Sequence, residues 1–115
     1  MYHTGYGREE NIQLARKWYE AAIEGGYTEA VCRLGLTYYE DEDPESKETA
    51  FRYFEKASEL SDPQGWYYLG LCYMDGTGVA MDRSRAVEAM TKSRDLGYAP
   101  AKDMLRYWES YEFQN

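Results

Sequence analysis

The segment Leu34-Gly35-Leu36-Thr37-Tyr38 returns as Leu69-Gly70-Leu71-Cys72-Tyr73, at an offset of 35 residues. A period of that length marks one supersecondary unit used repeatedly, so it constrains the fold before any helix or strand is assigned. Ala15, Ala50 and Ala86 keep the register at offsets of 35 and 36, and Leu105 follows Leu69 at 36. Each alanine opens the same kind of helical text. The versions are Ala15-Arg16-Lys17-Trp18-Tyr19-Glu20-Ala21-Ala22, Ala50-Phe51-Arg52-Tyr53-Phe54-Glu55-Lys56-Ala57 and Ala86-Val87-Glu88-Ala89-Met90-Thr91-Lys92-Ser93. At the start, Tyr2, Gly5, Gly7 and Asn11 match Tyr73, Gly76, Gly78 and Asp82. The first residues thus read as the tail of a unit, in a longer array cut in phase or in an N-terminal cap.

Two helices per unit are expected. Asn11, Ser46 and Asp82 share one phase and are good N-caps, because their side-chain oxygens accept from free first-turn N–H groups. From them run expected helices over 11–24, 47–60 and 83–96, closing near Gly25-Gly26, Ser61-Asp62 and Gly97. Partner helices are expected over 28–40, 63–75 and 99–113, with Pro63 and Pro100 in their first turns. Ala22, Ala57 and Ser93 lie two turns beyond the first alanine of each unit. With Gly35 and Gly70 opposite, they let paired helices approach closely, while Trp18, Tyr19, Tyr53, Phe54, Leu34 and Leu69 fill the space around the contact. A lone hairpin cannot bury both faces, so the units must stack. The expected organisation is a single domain over 1–115. It divides into a partial N-terminal repeat or cap over 1–26, repeats over 27–62 and 63–98, and a C-terminal capping helix over 99–115.

These motifs resemble the Sel1-like repeat family, relatives of the tetratricopeptide repeats. The family's Ala-x-x-x-Leu-Gly-x-x-Tyr helix is matched by Ala30 to Tyr38, its glycine turn by Gly76-Thr77-Gly78-Val79, and its second helix by Asn11 to Ala22. The resemblance implies an all-α, right-handed α-solenoid of antiparallel helix pairs, about six helices in all. Three departures stand out. Glu40-Asp41-Glu42-Asp43-Pro44-Glu45 replaces one glycine turn, Arg106 stands where Gly35 and Gly70 stand in the other units, and Ser58 and Trp66 occupy the positions of the paired cysteines in the family's cysteine-rich branch.

Composition removes whole classes of function. Thirteen basic against 21 acidic residues give a net charge of −8, which repels nucleic-acid phosphates and acidic lipid surfaces. No stretch has the ~18 apolar residues that span a bilayer. The residues from Met1 lack the basic and apolar regions of a signal peptide. A cytoplasmic location is the expectation for a full-length chain, and a secreted, periplasmic or endoplasmic-reticulum one for an excerpt. Cys32 and Cys72 fall out of phase and are expected to be ordinary thiols rather than a bridge. His3 is the one histidine, so a histidine-based triad is not expected. Gly-x-Ser-x-Gly, Ser-x-x-Lys and His-Glu-x-x-His are all missing. No catalysis, cofactor or metal is expected. The acidic run 40–45 lacks the ligand ladder of a calcium loop and is expected to be solvated and mobile.

Thirteen tyrosines remain to be explained. Tyrosine couples a large apolar ring to a hydroxyl that stays wet, and loses little rotamer freedom on contact. In tetratricopeptide-like arrays the Leu-Gly helices line the concave face. The resemblance therefore implies a protein-binding surface at Glu29, Cys32, Tyr39, Gln64, Tyr67, Met74, Asp103, Tyr107 and Tyr111. Such a surface suits a peptide or protein segment with apolar and basic side chains. Tyr38 and Tyr73, at the motif position, are expected only to pack. The expected function is a non-catalytic interaction module, monomeric or a weak homodimer. The alternative is a small acidic inhibitor or immunity-type protein that blocks a basic active site or nucleic-acid groove, and its binding would fall steeply with salt.

Overall fold

The computed structural model describes residues 5–113, with side chains over 11–110. Six helices follow one another: α1 (Gly5–Glu24), α2 (Glu29–Tyr39), α3 (Pro44–Glu59), α4 (Pro63–Asp75), α5 (Arg83–Asp95) and α6 (Ala99–Phe113). Among the described residues there is no strand. Each helix packs on its neighbour in sequence, from α1 on α2 through to α5 on α6. The result is the expected α-solenoid, 44 Å along its longest axis.

Aspartates start three of the helices. Asp43, Asp62 and Asp82 sit outside the helical region, and their carboxylates accept from the amides of Glu45, Gln64 and Arg85. Pro44 and Pro63 take the first helical positions behind two of these caps. Two expected caps are displaced. Ser46 lies inside α3, where its hydroxyl donates to Asp41 at 3.0 Å, because the Asp43-Pro44 pair starts the helix earlier. Asn11 lies inside α1, which continues back to Gly5. Arg8, Glu9 and Glu10 are strong helix formers, which carries the helix through the expected cap.

One device closes α1, α3 and α5. The amides of Tyr27, Asp62 and Tyr98 donate to the carbonyls of Ala22, Ala57 and Ser93, at 2.9, 3.1 and 3.2 Å. The residue before each donor is left-handed: Gly26 at φ 100°, Ser61 at 65° and Gly97 at 96°. The acidic connection from α2 to α3 is solvated, as expected, but it is also bonded. Asp41 accepts from the Asp43 amide and the Ser46 hydroxyl, and Ser46 first among these holds its carboxyl below the ordinary value. The Lys47 ammonium donates to the Tyr39 carbonyl at 3.1 Å, where it also meets the negative end of the α2 dipole.

The small residues do what their phase requires. Ala50, Ala57, Ala86 and Ser93 are fully buried, with Leu34, Phe54 and Met90 filling the space between them. A Cβ on Gly35 would come within 2.9 Å of the Phe54 ring, and one on Gly70 within 3.1 Å of the Ala86 carbonyl. Ser93 ties the two helices of one hairpin together, its hydroxyl donating to the Pro63 carbonyl at 2.6 Å. Trp18 departs from expectation: it is 69 % exposed, because nothing described packs on the outer side of α1. Arg106 is exposed, in contrast to the buried Gly35 and Gly70 of the same phase.

Candidate protein-interaction face

On α2 the Leu-Gly pattern turns Leu34 inward and leaves Tyr39 at the C-terminal end of the helix, half-buried. One unit on, α4 turns Leu69 inward and presents Tyr67 and Tyr68, also half-buried. These rings form a continuous ladder. Tyr39 meets Phe54 at 5.6 Å and Tyr68 at 6.1 Å, both edge-on. Tyr68 stacks on Phe54 at 5.3 Å and receives the edge of Tyr67 at 5.0 Å. Tyr67 then meets Tyr98, from the α5–α6 connection, at 5.2 Å. Edge-on pairs of this kind each contribute about 0.5–1.5 kcal/mol beyond burial, so the ladder is pre-set rather than floppy. Burial raises the phenols of Tyr67, Tyr68 and Tyr98, and pushes that of Tyr39 up to about 12 with help from Cys72 and Asp75. All four are therefore neutral hydroxyls at physiological pH, able to donate and to accept.

The expected site residues divide by position. Tyr39, Gln64, Tyr67 and Met74 are half-buried on α2 and α4. Glu29 and Gln64 come together with Tyr98, Arg33 and Asp62 around a cleft of ≈ 360 Å³. Asp103 and Tyr107 are exposed on α6, Tyr107 at 63 %. Cys32 has no exposed surface: Tyr68 and Tyr98 are among its neighbours, and burial pushes its thiol up to about 12. It cannot touch a partner and leaves the set. The side chain of Tyr111 lies outside the described residues. Tyr68 and Tyr98 are rings of the same ladder that the sequence reading did not single out. The signal for Tyr98 was its place after Gly97, the phase at which Tyr27 follows Gly26.

Tyr38 and Tyr73 pack. Tyr38 stacks on Tyr53 at 5.8 Å beneath the Arg16 guanidinium, and Tyr73 meets Phe51 edge-on at 5.4 Å. Cys72 is as buried as Cys32, and both are free thiols. Among the described residues no group of three or more His, Cys, Asp or Glu is placed to hold a metal ion, and no helix is long and apolar enough to cross a membrane.

Antiparallel helix pairs stacked at a period of 35 and 36 residues, with glycine at each close approach, define a helical-hairpin repeat protein. The chain belongs to the Sel1 repeat family, whose model matches residues 1–27, 28–62 and 66–98. It is 33% identical over 99 residues to the rat (Rattus norvegicus) protein named DAP3-binding cell death enhancer 1. That match takes in 86% of this chain and 18% of the relative, so the chain spans less than a fifth of the relative's length. Among solved structures it resembles a Sel1 repeat protein from Oxalobacter formigenes, with TM-score 0.74 and 28% identity over 81% of this chain and 38% of that one. It also resembles cysteine-rich protein B of Helicobacter pylori, with TM-score 0.69 and 27% identity over 81% of this chain and 71% of that one. Members of this family are in general protein-interaction modules and in general non-catalytic.

Proposed function

We propose that the chain is a non-catalytic interaction module that holds a peptide or protein segment along the tyrosine ladder of α2 and α4. The observation that carries this reading is the ladder itself. Tyr39, Tyr68, Tyr67 and Tyr98 are braced against one another yet stay only half-buried among the described helices. Braced tyrosines lose little freedom on binding, which favours them as hot spots. Met74 extends the apolar surface, while Glu29, Asp62, Asp75 and Asp103 are acids that suit basic side chains on the partner. At ~3.3 Å per residue, a 44 Å molecule offers room for an extended segment of about a dozen residues. The relative named for binding DAP3 is consistent with a protein as the partner class. The chain acts in this reading as a monomer or weak homodimer and needs no cofactor.

Selection of binders from a random peptide library tests this reading. Affinity of the best peptide is then measured for the parent chain and for a Tyr67→Ala/Tyr98→Ala variant of confirmed helicity. Removing two hot-spot tyrosines is expected to weaken binding at least tenfold, since each contributes about 1–2 kcal/mol. The affinity is expected to survive a change from about 50 to about 500 mM salt with only a modest loss. Binding that disappears in salt while the variant still binds would favour the acidic-inhibitor alternative, for which the charge of −8 is the support.

A further inference from the structure

Loss of one electron and one proton turns a phenol into a phenoxyl radical, and two such radicals held ring against ring couple through their ortho carbons. Among the described residues the tyrosine rings in contact are Tyr38 with Tyr53, Tyr39 with Tyr68, Tyr67 with Tyr68, and Tyr67 with Tyr98. Charge separates these pairs. A cation over a ring draws on the same electron density that an oxidant must remove. The Arg16 guanidinium stands 3.8 Å over Tyr38, and the Lys47 ammonium 5.7 Å over Tyr39. Arg85 and Lys92 stand over Tyr73 and Trp66 in the same way, at 5.9 and 4.8 Å. Among the described residues no cation lies over Tyr67, Tyr68 or Tyr98. Tyr98 instead shares a cleft of ≈ 360 Å³ with Asp62 and Glu29, which outnumber Arg33 there. Asp62 is close enough to act on the Tyr98 phenol, so its carboxylate favours loss of an electron from that ring and offers a place for the proton.

Geometry completes the selection. Tyr67 and Tyr68 follow one another on α4, so a bond between their rings would close a small, strained loop on one helical turn. Tyr67 and Tyr98 come from α4 and from the α5–α6 connection, with centroids 5.2 Å apart and planes at 72°, and both are half-buried. Cys32, a neighbour of Tyr98, is a poor rival as electron donor, because burial pushes its thiol up to about 12 and keeps it protonated. We propose that Tyr67 and Tyr98 form a site of oxidative cross-linking, joined as dityrosine by small one-electron oxidants. Each phenol gives one electron to the oxidant and its proton to Asp62 or to water. The two radicals then form one bond between ortho carbons. The ortho hydrogens move as protons to the two oxygens and restore the phenols, so the product has lost two hydrogen atoms in all. The bond staples α4 to the α5–α6 connection. It needs no partner, so it stands or falls apart from the binding reading.

The test exposes the whole chain, dilute enough to be monomeric by light scattering, to photogenerated tris(bipyridyl)ruthenium(III) with persulfate as the terminal electron acceptor. Dityrosine fluorescence is expected in the monomer fraction. Proteolytic mapping is expected to return a joined pair of peptides holding residues 67 and 98, lighter than their sum by two hydrogen atoms. Tyr67→Phe and Tyr98→Phe keep the rings and their packing, and each is expected to abolish that product. Tyr38→Phe is expected to leave its yield unchanged. Cross-linking confined to Tyr38 and Tyr53, or to dimers, would overturn the proposal, and so would a yield in Tyr67→Phe equal to the parent's. A monomer that forms no dityrosine while Tyr27, which is 68% exposed, is oxidised would overturn it as well.

Discussion

Ser61 closes the second hairpin at φ 65°, in the place that Gly26 and Gly97 fill in the others. A side chain in that region costs energy that glycine does not pay. Ser61→Gly is therefore expected to stabilise the chain by about 0.5–1 kcal/mol, read as a rise in the urea midpoint at constant slope. Gly65 is the reverse case. A Cβ there would lie 2.6 Å from the Ala57 Cβ and 2.8 Å from the Ser58 amide, and backbone cannot swing aside. Gly65→Ala is expected to cost about 1–3 kcal/mol by the same measurement, and an unchanged midpoint would contradict the close packing of α3 on α4. Both positions illustrate what the sequence shows at this scale. Glycine after a helical stretch announces a closing turn, but Ser61 holds the same conformation only because the Asp62 amide reaches the Ala57 carbonyl. That bond becomes visible only when the hairpin is built.

At the scale of elements, helix type and order were legible and the first turns were not. Asp82 shares its phase with Asn11 and Ser46, yet it alone of the three caps a helix. Asp43-Pro44 outcompetes Ser46, and α1 runs through Asn11 back to Gly5. The cores of α2 and α4 carry a prediction of their own. Burial pushes the thiols of Cys32 and Cys72 from 9.0 up to about 12, with Asp62 and Asp75 respectively adding to it. A thiol that ionises more readily when unfolded leaves stability intact below pH ~9 and erodes it as the pH rises towards 12. Each contributes a slope of about 1.4 kcal/mol per pH unit in that window. The urea midpoint should hold between pH 7 and 8.5 and fall between pH 9 and 11. A Cys32→Ala/Cys72→Ala variant should fall less steeply. Equal slopes in the two proteins would place the alkaline loss elsewhere.

For the whole molecule, the period of 35 and 36 residues already contained the solenoid, since a hairpin of this length must stack to bury itself. The candidate face was legible only in part. Offsets from the Leu-Gly pair pointed to Tyr39, Gln64 and Tyr67, which lie half-buried on α2 and α4, because those positions follow from the geometry of one helix. They did not point to Tyr68 and Tyr98, whose rings continue the ladder, and they included the fully buried Cys32, because the ladder is made between hairpins. Tyr98 reaches Tyr67 from the next connection, and Tyr68 covers what would otherwise be the open side of α2. The central claim is that these four rings receive a partner together. Ring-labelled tyrosine NMR, with the library-selected peptide titrated into the chain, tests it most directly. Tyr39, Tyr67, Tyr68 and Tyr98 are expected to shift in concert while Tyr38 and Tyr73 stay in place. Shifts at Tyr19 and Tyr53 with the ladder unmoved would contradict it.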